Sequence, residues 1–496
     1  METRIERDSL GEMTVPADAL YGASTARAVA NFPVSGLRAH PAFLWATLVI
    51  KKAAAQVNRE MGEFRARRER DPNAFRGYDP DEVAAAIIQA ADAILRDLME
   101  NGGAVYGKQF VVDVYQAGAG TSHNMNVNEV VANLAIERLG GQRGDRELVD
   151  PNDHVNMGQS TNDVIPTAMR LAALRLLQDL YPALDRLADA FAAKGREFHD
   201  ILKSGRTHLQ DAVPMRLGQE FAAWAVTVRK NKARLQMAQR DLEELGIGGN
   251  AIGTGINTQP DFPQKMTEAL AQETGFALRS GANLIELCQN TDAFVTLSAA
   301  LRTLALDLNR IANDLRLLAS GPNTGLAEIV LPAVQPGSSI MPGKVNPVMA
   351  EMLNMVCYQV IGNDTAVALA SQAGQLELNV MMPVMAHNLN QSLTILTNAI
   401  TLFAERCVAG ITADAARCRH YLERSMGLAT VLNPLIGYIA AARVVKRAEA
   451  EGKSIKEVVL EEGLLTAEDF DRLIAASTQD TKAHEAKTSA AMEPAV

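Results

Sequence analysis

The sequence predicts an all-α, mainly helical protein of three domains, organised around a central bundle of long helices. One observation behind this prediction is the distribution of proline, which is missing from 81–150, 215–259 and 264–321. A second is the spacing of apolar residues within the last of these stretches, where they recur every three or four positions from Phe294 to Leu318. At 1.5 Å per residue, such a helix would be roughly 36 Å long, which suits a bundle.

Similar helical patterns complete the bundle, and both ends of the chain differ from it. The N-terminal part carries shorter segments interrupted by prolines, and the C-terminal part carries short helices around Asn433-Pro434. The last residues lack periodicity, so we expect a disordered tail. The predicted long helices are 167–196, 216–245, 291–318, 350–372 and 384–406. The predicted domains are an N-terminal helical domain at 1–150, the bundle at 151–414, a small C-terminal helical domain at 415–476 and the tail at 477–496.

Composition and charge narrow the possible functions. An apolar fraction of 48% with 21% charged residues is typical of a globular protein. The net charge of −10, without a block of basic residues, argues against nucleic acid and anionic membranes as partners. The charged start METRIERDSL does not resemble a signal peptide, so we expect a cytoplasmic protein. Four cysteines without CxxC pairs argue against disulfides and zinc, and no metal or other cofactor is indicated.

Four segments concentrate hydroxyl and amide side chains where a helical protein normally places apolar ones. Three of them precede a predicted helix, and helix N-termini attract anions through unpaired N–H groups and a partial positive charge. Capping needs only one polar residue, whereas these runs contain four or five. We therefore expect a carboxylate-binding site. The segments are AGAGTSHNMN (117–126), GQSTNDVIPT (158–167), SGRTHLQDAVP (204–214) and PGSSIMPGKVNP (336–347).

These segments carry a family resemblance. GSSIMPGKVN (337–346) resembles the GSSxMPxKxN signature of the aspartase and fumarase superfamily, and QSTND, GRTHLQDA and GTGIN resemble its other signature segments. The resemblance extends from YGASTARAVANFP (21–33) to LNPLIGY (432–438). It implies a mainly helical three-domain fold, a homotetramer, and active sites that are each built by segments of three subunits.

The resemblance also implies a reaction and assigns residues to it. Members of the superfamily remove a proton beside a carboxylate, through an aci-carboxylate intermediate, and then expel an amine or hydroxyl to form fumarate. Donors aimed at the developing charge are typically worth about 2.7–4 kcal/mol each. The resemblance assigns catalysis to Ser338, the base on a closing loop, and to His208. It assigns Thr121, Ser160, Thr161 and Ser339 to the carboxylate beside the acidic proton, Lys344 and Asn346 to the other carboxylate, and Thr207, His208 and Asn162 to the leaving group, with Glu351 and the residues near Asn379 in support.

The branch of the superfamily follows from two of the segments. AGAGTS and QSTND resemble the ammonia-lyase branch, whereas class II fumarases usually carry SGTQSNMN and QSSND. We therefore expect a carbon–nitrogen lyase of aspartate metabolism that converts L-aspartate to fumarate and ammonia. Hydration of fumarate to malate is the alternative, since His208 occurs in both branches and His387-Asn388 resembles the fumarase pattern. Met382 also replaces an acid that is usual in aspartases, and a non-catalytic helical tetramer is a further alternative.

Overall fold

The computed structural model describes residues 2–478 and confirms the mainly helical fold class. All five predicted long helices are present, with ends within a few residues of those expected, except that the first begins six residues earlier. The helices are α1 (Ala23–Asn31), α2 (Pro41–Glu60), α3 (Glu63–Arg70), α4 (Pro80–Glu100), α5 (Thr121–Arg138), α6 (Thr161–Glu197), α7 (Leu217–Leu242), α8 (Phe262–Thr274), α9 (Leu284–Gln289), α10 (Asp292–Leu318), α11 (Val348–Gln372), α12 (Met382–Arg406), α13 (Ala415–Arg424), α14 (Leu428–Ile436), α15 (Tyr438–Glu451), α16 (Ile455–Glu461) and α17 (Ala467–Ser477).

The apolar spacing of α10 explains why this helix forms and what it buries. Its predicted seam, from Phe294 through Leu301 and Leu308 to Leu315, is at most 1% exposed. Burial of one such side chain stabilises the fold by about 1.5–3 kcal/mol, so a helix of this length is held mainly by packing along one face. Within the described part of the chain, no helix is both long and apolar enough to span a bilayer.

Short strands accompany the helices and were not predicted. Each sheet among the described residues has two strands, and two of these sheets are hairpins. The hairpin of β3 and β4 contains most of the third polar segment, which therefore forms strands and a turn. The strands are β1 (Thr3–Asp8), β2 (Gly11–Pro16), β3 (Leu202–Thr207), β4 (Gln210–Arg216), β5 (Glu244–Leu245), β6 (Arg279–Ser280), β7 (Ile329–Val330) and β8 (Thr412–Ala413), paired β1–β2, β3–β4, β5–β6 and β7–β8.

The chain divides into two compact units. The first comprises 1–182, 231–306 and 356–398, and in it α2 packs against α4, α5 and α8. The described part of the second comprises 183–230, 307–355 and 399–478. It includes a small core from α13 to α17 that contains Leu432, Val444, Val458 and Phe470.

The three-domain boundaries at 150 and 414 stay a prediction. The tail at 477–496 lies outside the described residues, apart from Ser477, which ends α17, and Thr478, which follows it.

Candidate active site

In the first unit, Thr121 is the first residue of α5 and its side chain is exposed. The cap of this helix is Gly120, which has φ +85° and makes no side-chain capping bond. Capping therefore does not explain the hydroxyl of Thr121. A Cβ at position 120 would lie 2.9 Å from Ile165 Cγ1 of α6, so glycine lets the start of α5 approach α6 closely.

The turn before α5 rests on the segment that precedes α12. The backbone N–H of Ala119 donates to the carbonyl of Val380 at 3.0 Å. Asn379 is fully buried and holds this segment, because its Nδ2 donates to the carbonyl of Ser371 (2.9 Å) and its Oδ1 accepts from the N–H of Met381 (2.8 Å). The segment around Asn379 thus contacts the turn that leads to Thr121, and its supporting role stays a prediction.

The segment 160–163 is held by the buried carboxylate of Asp163. One carboxylate oxygen accepts from the N–H of Ser160 (2.9 Å), and the other accepts from the N–H groups of Gly248 (3.0 Å) and Asn250 (2.9 Å). Asn162 donates its side-chain amide to the carbonyl of Ala251 at 2.8 Å. Asp163 therefore ties the predicted binding segment to the glycine-rich loop around 248–251.

A buried hydrogen-bond network lies beneath Thr161. Lys51, in the middle of α2, is 0% exposed, and its Nζ donates to Asn156 Oδ1 (2.8 Å) and Gln159 Oε1 (2.9 Å). Asn124 Nδ2 donates both to Asn156 Oδ1 (3.2 Å) and to Thr161 Oγ1 (3.0 Å). Thr161 is thereby connected to α5, one helical turn after Thr121.

Sequence reasoning missed Lys51, although a signal for it exists. The stretch WATLVIKKAAA places a lysine at a position that continues the apolar spacing of α2, since Leu44, Leu48, Ala54 and Ala55 are buried beside it. A lysine on a buried face needs partners, because an isolated buried charge is costly.

Burial shifts the pKa values of the two ionisable groups of this region, Lys51 and Asp163, in opposite directions. Desolvation lowers the pKa of Lys51 to about 7, and the nearby Asp163 carboxylate only partly offsets the effect. Burial raises the pKa of Asp163 to about 6, against the opposing effect of its three backbone donors and of Lys51. Both groups therefore change protonation state near neutral pH.

In the second unit, Thr207 and His208 lie at the exposed tip of the hairpin β3–β4. Thr207 pairs with Gln210, and the two turn residues His208 and Leu209 both have positive φ, 56° and 59°. A two-residue hairpin turn favours this backbone geometry, but it usually selects asparagine and glycine. A residue other than glycine with a positive φ costs about 1–3 kcal/mol of conformational free energy, and such backbone strain is often found at functional sites.

The base of the same hairpin is anchored by a cluster of four charges, of which Lys203 and Glu328 are buried. The Glu328 carboxylate is 0% exposed and forms ion pairs with Lys203 Nζ (2.8 Å) and Arg206 Nη2 (2.9 Å). Lys203 also pairs with Glu220 at 2.9 Å, so the cluster holds two cations and two anions. The two carboxylates compensate the buried positive charge of Lys203, and these ion pairs hold the strand that ends at Thr207.

The loop at 336–347 is closed on itself at its base. The N–H of Gly337 donates to the carbonyl of Lys344 (2.8 Å), and Asn346 Nδ2 donates to the carbonyl of Gly337 (2.7 Å). A Cβ at position 337 would lie 2.4 Å from the Lys344 carbonyl oxygen, so this closure requires glycine. Ser339 and the Lys344 side chain are exposed on the loop.

Ser338 is held in a specific environment within this loop. Its Oγ accepts hydrogen bonds from the backbone N–H groups of Ile340 (3.2 Å) and Met341 (3.0 Å). Hydrogen bonds to an ionised oxygen favour the ionised form, so these two donors would stabilise a serine alkoxide. Ile340 beside it is 82% exposed, as expected of a loop that has its apolar side chains available for a further contact.

The structure brings the predicted site residues together in separate groups. In the first unit, the turn at 160–163 holds Ser160, Thr161 and Asn162, and Asn124 connects Thr161 to α5, whose first residue is Thr121. In the second unit, one loop holds Ser338, Ser339, Lys344 and Asn346, while the hairpin tip holds Thr207 and His208. Among the described residues, no hydrogen bond joins that tip to that loop. Glu351 lies in the first turn of α11.

Met382, His387 and His123, which lies in the first polar segment, are buried or half-buried. His123 is buried, stacks on Phe43 at 4.5 Å and shares a hydrogen bond with Thr47, and burial lowers its pKa to about 3. Met382 starts α12 and is 0% exposed. His387 is half-buried, and burial lowers its pKa as well. Neutral or apolar side chains at these positions fit the packing around them.

Comparisons with known proteins identify the family of the chain. The chain belongs to the lyase family, whose profile matches residues 11–362, and a profile described as fumarase C C-terminus matches 428–478. The aspartate ammonia-lyase of Bacillus subtilis (strain 168) is 45% identical over 473 residues, which are 95% of each chain.

Two solved structures extend the likeness to the fold. The fumarate lyase:delta crystallin from Brucella melitensis, bound to cobalt, has a TM-score of 0.88 and 48% identity over 96% of this chain and 98% of that one. The recombinant class II fumarase from Schistosoma mansoni has a TM-score of 0.86 and 36% identity over 95% of this chain and 98% of that one.

Proposed function

We propose that this protein catalyses the reversible elimination of ammonia from L-aspartate, giving fumarate. The observation that carries the proposal is the similarity over 95% of both chains to a relative named aspartate ammonia-lyase. The segments AGAGTS and QSTND support the same branch.

In the proposed mechanism, Ser338 takes the proton from the carbon beside the carboxylate. A free serine is a poor base, so it needs an environment that favours the alkoxide. The two backbone N–H groups that reach its Oγ supply part of that environment. The positively charged Lys344 on the same loop binds the second carboxylate, with Asn346 beside it.

The hydroxyls of Thr121, Ser160, Thr161 and Ser339 bind the carboxylate that becomes doubly charged. Donors of this kind accelerate the reaction because they bind the aci-carboxylate more strongly than the substrate. Thr207, His208 and Asn162 line the leaving-group side. The Asn162 side chain donates through its Nδ2 to the carbonyl of Ala251. Its Oδ1 therefore remains available to accept a hydrogen bond from the leaving group.

The proposal includes a homotetramer with active sites shared between subunits. Thr121, Thr207 and His208 are exposed in the single chain, and water around them would weaken every electrostatic interaction with the substrate. Coverage by other copies of the chain would exclude that water. A cytoplasmic location is also part of the proposal, supported by four buried free cysteines, which are typical of a reducing compartment.

Hydration of fumarate to malate is the alternative function. It is favoured by His208 and by the His387-Asn388 pair, and a class II fumarase is among the similar structures. The purified protein should be offered L-aspartate and L-malate separately, with fumarate followed by its ultraviolet absorbance. We expect fumarate and ammonia from L-aspartate. Fumarate from L-malate alone would overturn the ammonia-lyase proposal in favour of the alternative.

The role of Ser338 has a direct test. Ser338→Ala should reduce turnover roughly a thousandfold or more, as expected when a catalytic group is removed, while assembly and melting temperature stay the same. The matched control is Ser320→Ala, because the Ser320 hydroxyl bonds only to nearby backbone, donating to the carbonyl of Leu317 and accepting from the N–H of Leu326. Turnover retained by Ser338→Ala would remove Ser338 from the role of base.

A further inference from the structure

We propose that Lys51 is a positioning residue that sets the direction of the hydrogen bonds beneath Thr161, so that the Thr161 hydroxyl presents its proton to the substrate carboxylate. The inference rests on the proposed function, because it explains how one of the proposed carboxylate-binding hydroxyls is oriented.

The starting point is the burial of Lys51. The side chain is 0% exposed, and lysine is almost never buried to this extent without a reason. Its partners in the hydrogen-bond network are two neutral amide oxygens, on Asn156 and Gln159. Neutral partners compensate a buried charge less well than a carboxylate would, so stability alone does not account for a lysine at this position.

An ammonium group has only donors, and this property orients the network. Asn156 must turn its Oδ1 toward Lys51, and its Nδ2 then donates to the carbonyl of Gln159 at 3.0 Å. Asn124 contacts the same Oδ1 and must therefore present its Nδ2. Because the second hydrogen of that Nδ2 points to Thr161 Oγ1, the threonine hydroxyl accepts a hydrogen bond from Asn124.

The orientation of the Thr161 hydroxyl follows from its single proton. Its oxygen accepts from Asn124, and among the described residues no acceptor takes its proton. The proton is then available to a substrate carboxylate. In the reversed network Asn124 would offer its oxygen, the hydroxyl would donate inward, and lone pairs would face the carboxylate. A hydrogen bond to a charged group is worth about 1.5–3 kcal/mol, so the direction matters for catalysis.

The unpaired atoms of the network show what this direction costs. Asn156 Oδ1 accepts from Lys51, Asn124 and also Asn128 Nδ2 (3.3 Å), whereas an amide oxygen has two lone pairs. The Oδ1 atoms of Asn124 and Asn128 are buried and have no partner within residues 2–478. If the amides of Asn156, Asn124 and Asn128 were all reversed, the Nδ2 of Asn156 would face these two oxygens. The Lys51 ammonium cannot accept from the reversed Asn156, and the carbonyl of Gln159, which can only accept, opposes the same reversal.

The charged and titratable groups that act on Lys51 belong to the two neighbouring helices. Desolvation lowers the pKa of Lys51 and Asp163 on α6 opposes this by favouring the ammonium form, while burial also lowers the pKa of His123 on α5 and keeps it neutral. Below its pKa of about 7, Lys51 is the cation of the network and sets the direction of the hydrogen bonds together with the acceptor-only carbonyl of Gln159.

The test is a double-mutant cycle in kcat, measured on whichever of L-aspartate and L-malate yields fumarate. Lys51→Met keeps the length of the side chain and removes its donors. We expect it to lower kcat roughly tenfold to a hundredfold, which corresponds to the loss of one hydrogen bond to a charged group. In a Thr161→Val background, the same change should lower kcat by less than about threefold, because the hydroxyl that it orients is gone.

The neighbouring lysine supplies a matched control. Lys52 lies on the same helix and pairs with Asp92 (2.9 Å) and Glu273 (2.6 Å), away from the network. Lys52→Met should keep kcat within about twofold of wild type, as expected for a partly exposed ion pair.

Other outcomes would overturn the inference. A wild-type kcat in Lys51→Met or in Thr161→Val would do so, and so would equal losses in both backgrounds, since a merely structural role of Lys51 produces additive effects. If Lys51→Met does not fold, Asn124→Leu breaks the network one step later and should show the same dependence on Thr161. Failure of the proposed function is seen separately, as wild-type protein that forms no fumarate from L-aspartate.

Discussion

Asp163 joins two segments through one carboxylate, and its protonation state is set by burial. The group accepts three backbone N–H bonds from Ser160, Gly248 and Asn250, so its ionised form is well solvated by the protein. Desolvation is nevertheless the largest influence and raises its pKa to about 6. The carboxylate is therefore a structural clamp that becomes protonated in mild acid.

Substitution of Asp163 by asparagine should give a pH-dependent difference in stability. Since the folded pKa lies above the unfolded value of 3.8, the folded state binds more protons than the unfolded state between pH 6 and pH 4. Wild type therefore gains stability relative to Asp163→Asn as the pH falls through this window. We expect the variant's melting-temperature deficit to be larger at pH 5 than at pH 7.

The control for this prediction is an exposed aspartate. Asp261 has a side chain that is 57% exposed and lies 3.7 Å from Lys265, so Asp261→Asn should show no such trend. A deficit of Asp163→Asn that stays constant from pH 7 to pH 4.5 would show that burial does not raise the pKa of this carboxyl.

At the level of helices, α5 is positioned by the glycine that precedes it. Gly120→Ala should destabilise the protein by about 1–3 kcal/mol, because the new Cβ meets Ile165 and the backbone has a positive φ. Displacement of Thr121 should also lower kcat/KM, by roughly tenfold or more, as small misplacements in a site do. Melting temperature and steady-state kinetics measure the two effects.

The other end of the same helix offers the matched variant. Gly140 has φ +80° and nothing within 4 Å of a built Cβ. Gly140→Ala should lose only the backbone contribution, about 1 kcal/mol, and keep kcat/KM. Equal kinetic losses in both variants would mean that the contact with Ile165 does not position Thr121.

The hairpin β3–β4 depends on its buried charges. Lys203→Met leaves the Glu328 carboxylate buried with Arg206 alone, and loss of one member of a buried pair typically costs about 3–5 kcal/mol. The melting temperature should fall accordingly, and Lys203→Met combined with Glu328→Gln should recover part of the loss. The exposed pair of Arg310 and Asp314 is the control, since Arg310→Met should cost about 0–1 kcal/mol. A Lys203→Met variant as stable as Arg310→Met would contradict the role of the cluster.

At the scale of the whole molecule, the proposed homotetramer builds each site from more than one copy of the chain. Thr121→Val in the first unit and Ser338→Ala in the second should each inactivate the enzyme. If the two side chains of one site come from different subunits, mixed tetramers contain some sites in which both are intact. Mixing the variants under conditions that exchange subunits should therefore restore part of the activity, and light scattering should report a tetramer throughout.

Two kinds of control belong to this experiment. Each variant mixed with itself should stay inactive after the same treatment. A mixture of the double variant Thr121→Val/Ser338→Ala with Ser338→Ala should also stay inactive, because no subunit then carries an intact Ser338. No recovery in the first mixture, with exchange shown by labelled subunits, would contradict active sites shared between subunits.

The long helices and the polar segments were predictable for a simple reason. The apolar spacing in α10 and the polar runs at the starts of α5 and α6 are local patterns, and such patterns predict helix faces and helix starts directly. The hairpin β3–β4 was not predicted, because His208 and Leu209 are not residues that usually mark a two-residue turn. Lys51 was missed because its partners lie more than 100 residues away.

By itself, the sequence determined the mainly helical class, the long helices and the family, since these depend on spacing and on short motifs. Only the tertiary structure decided how Thr161 is supported, which N–H groups reach Ser338, and which charges balance Glu328. The physical reason is that hydrogen-bond direction and charge compensation depend on distances between segments remote in the chain. Spacing along the sequence does not specify those distances.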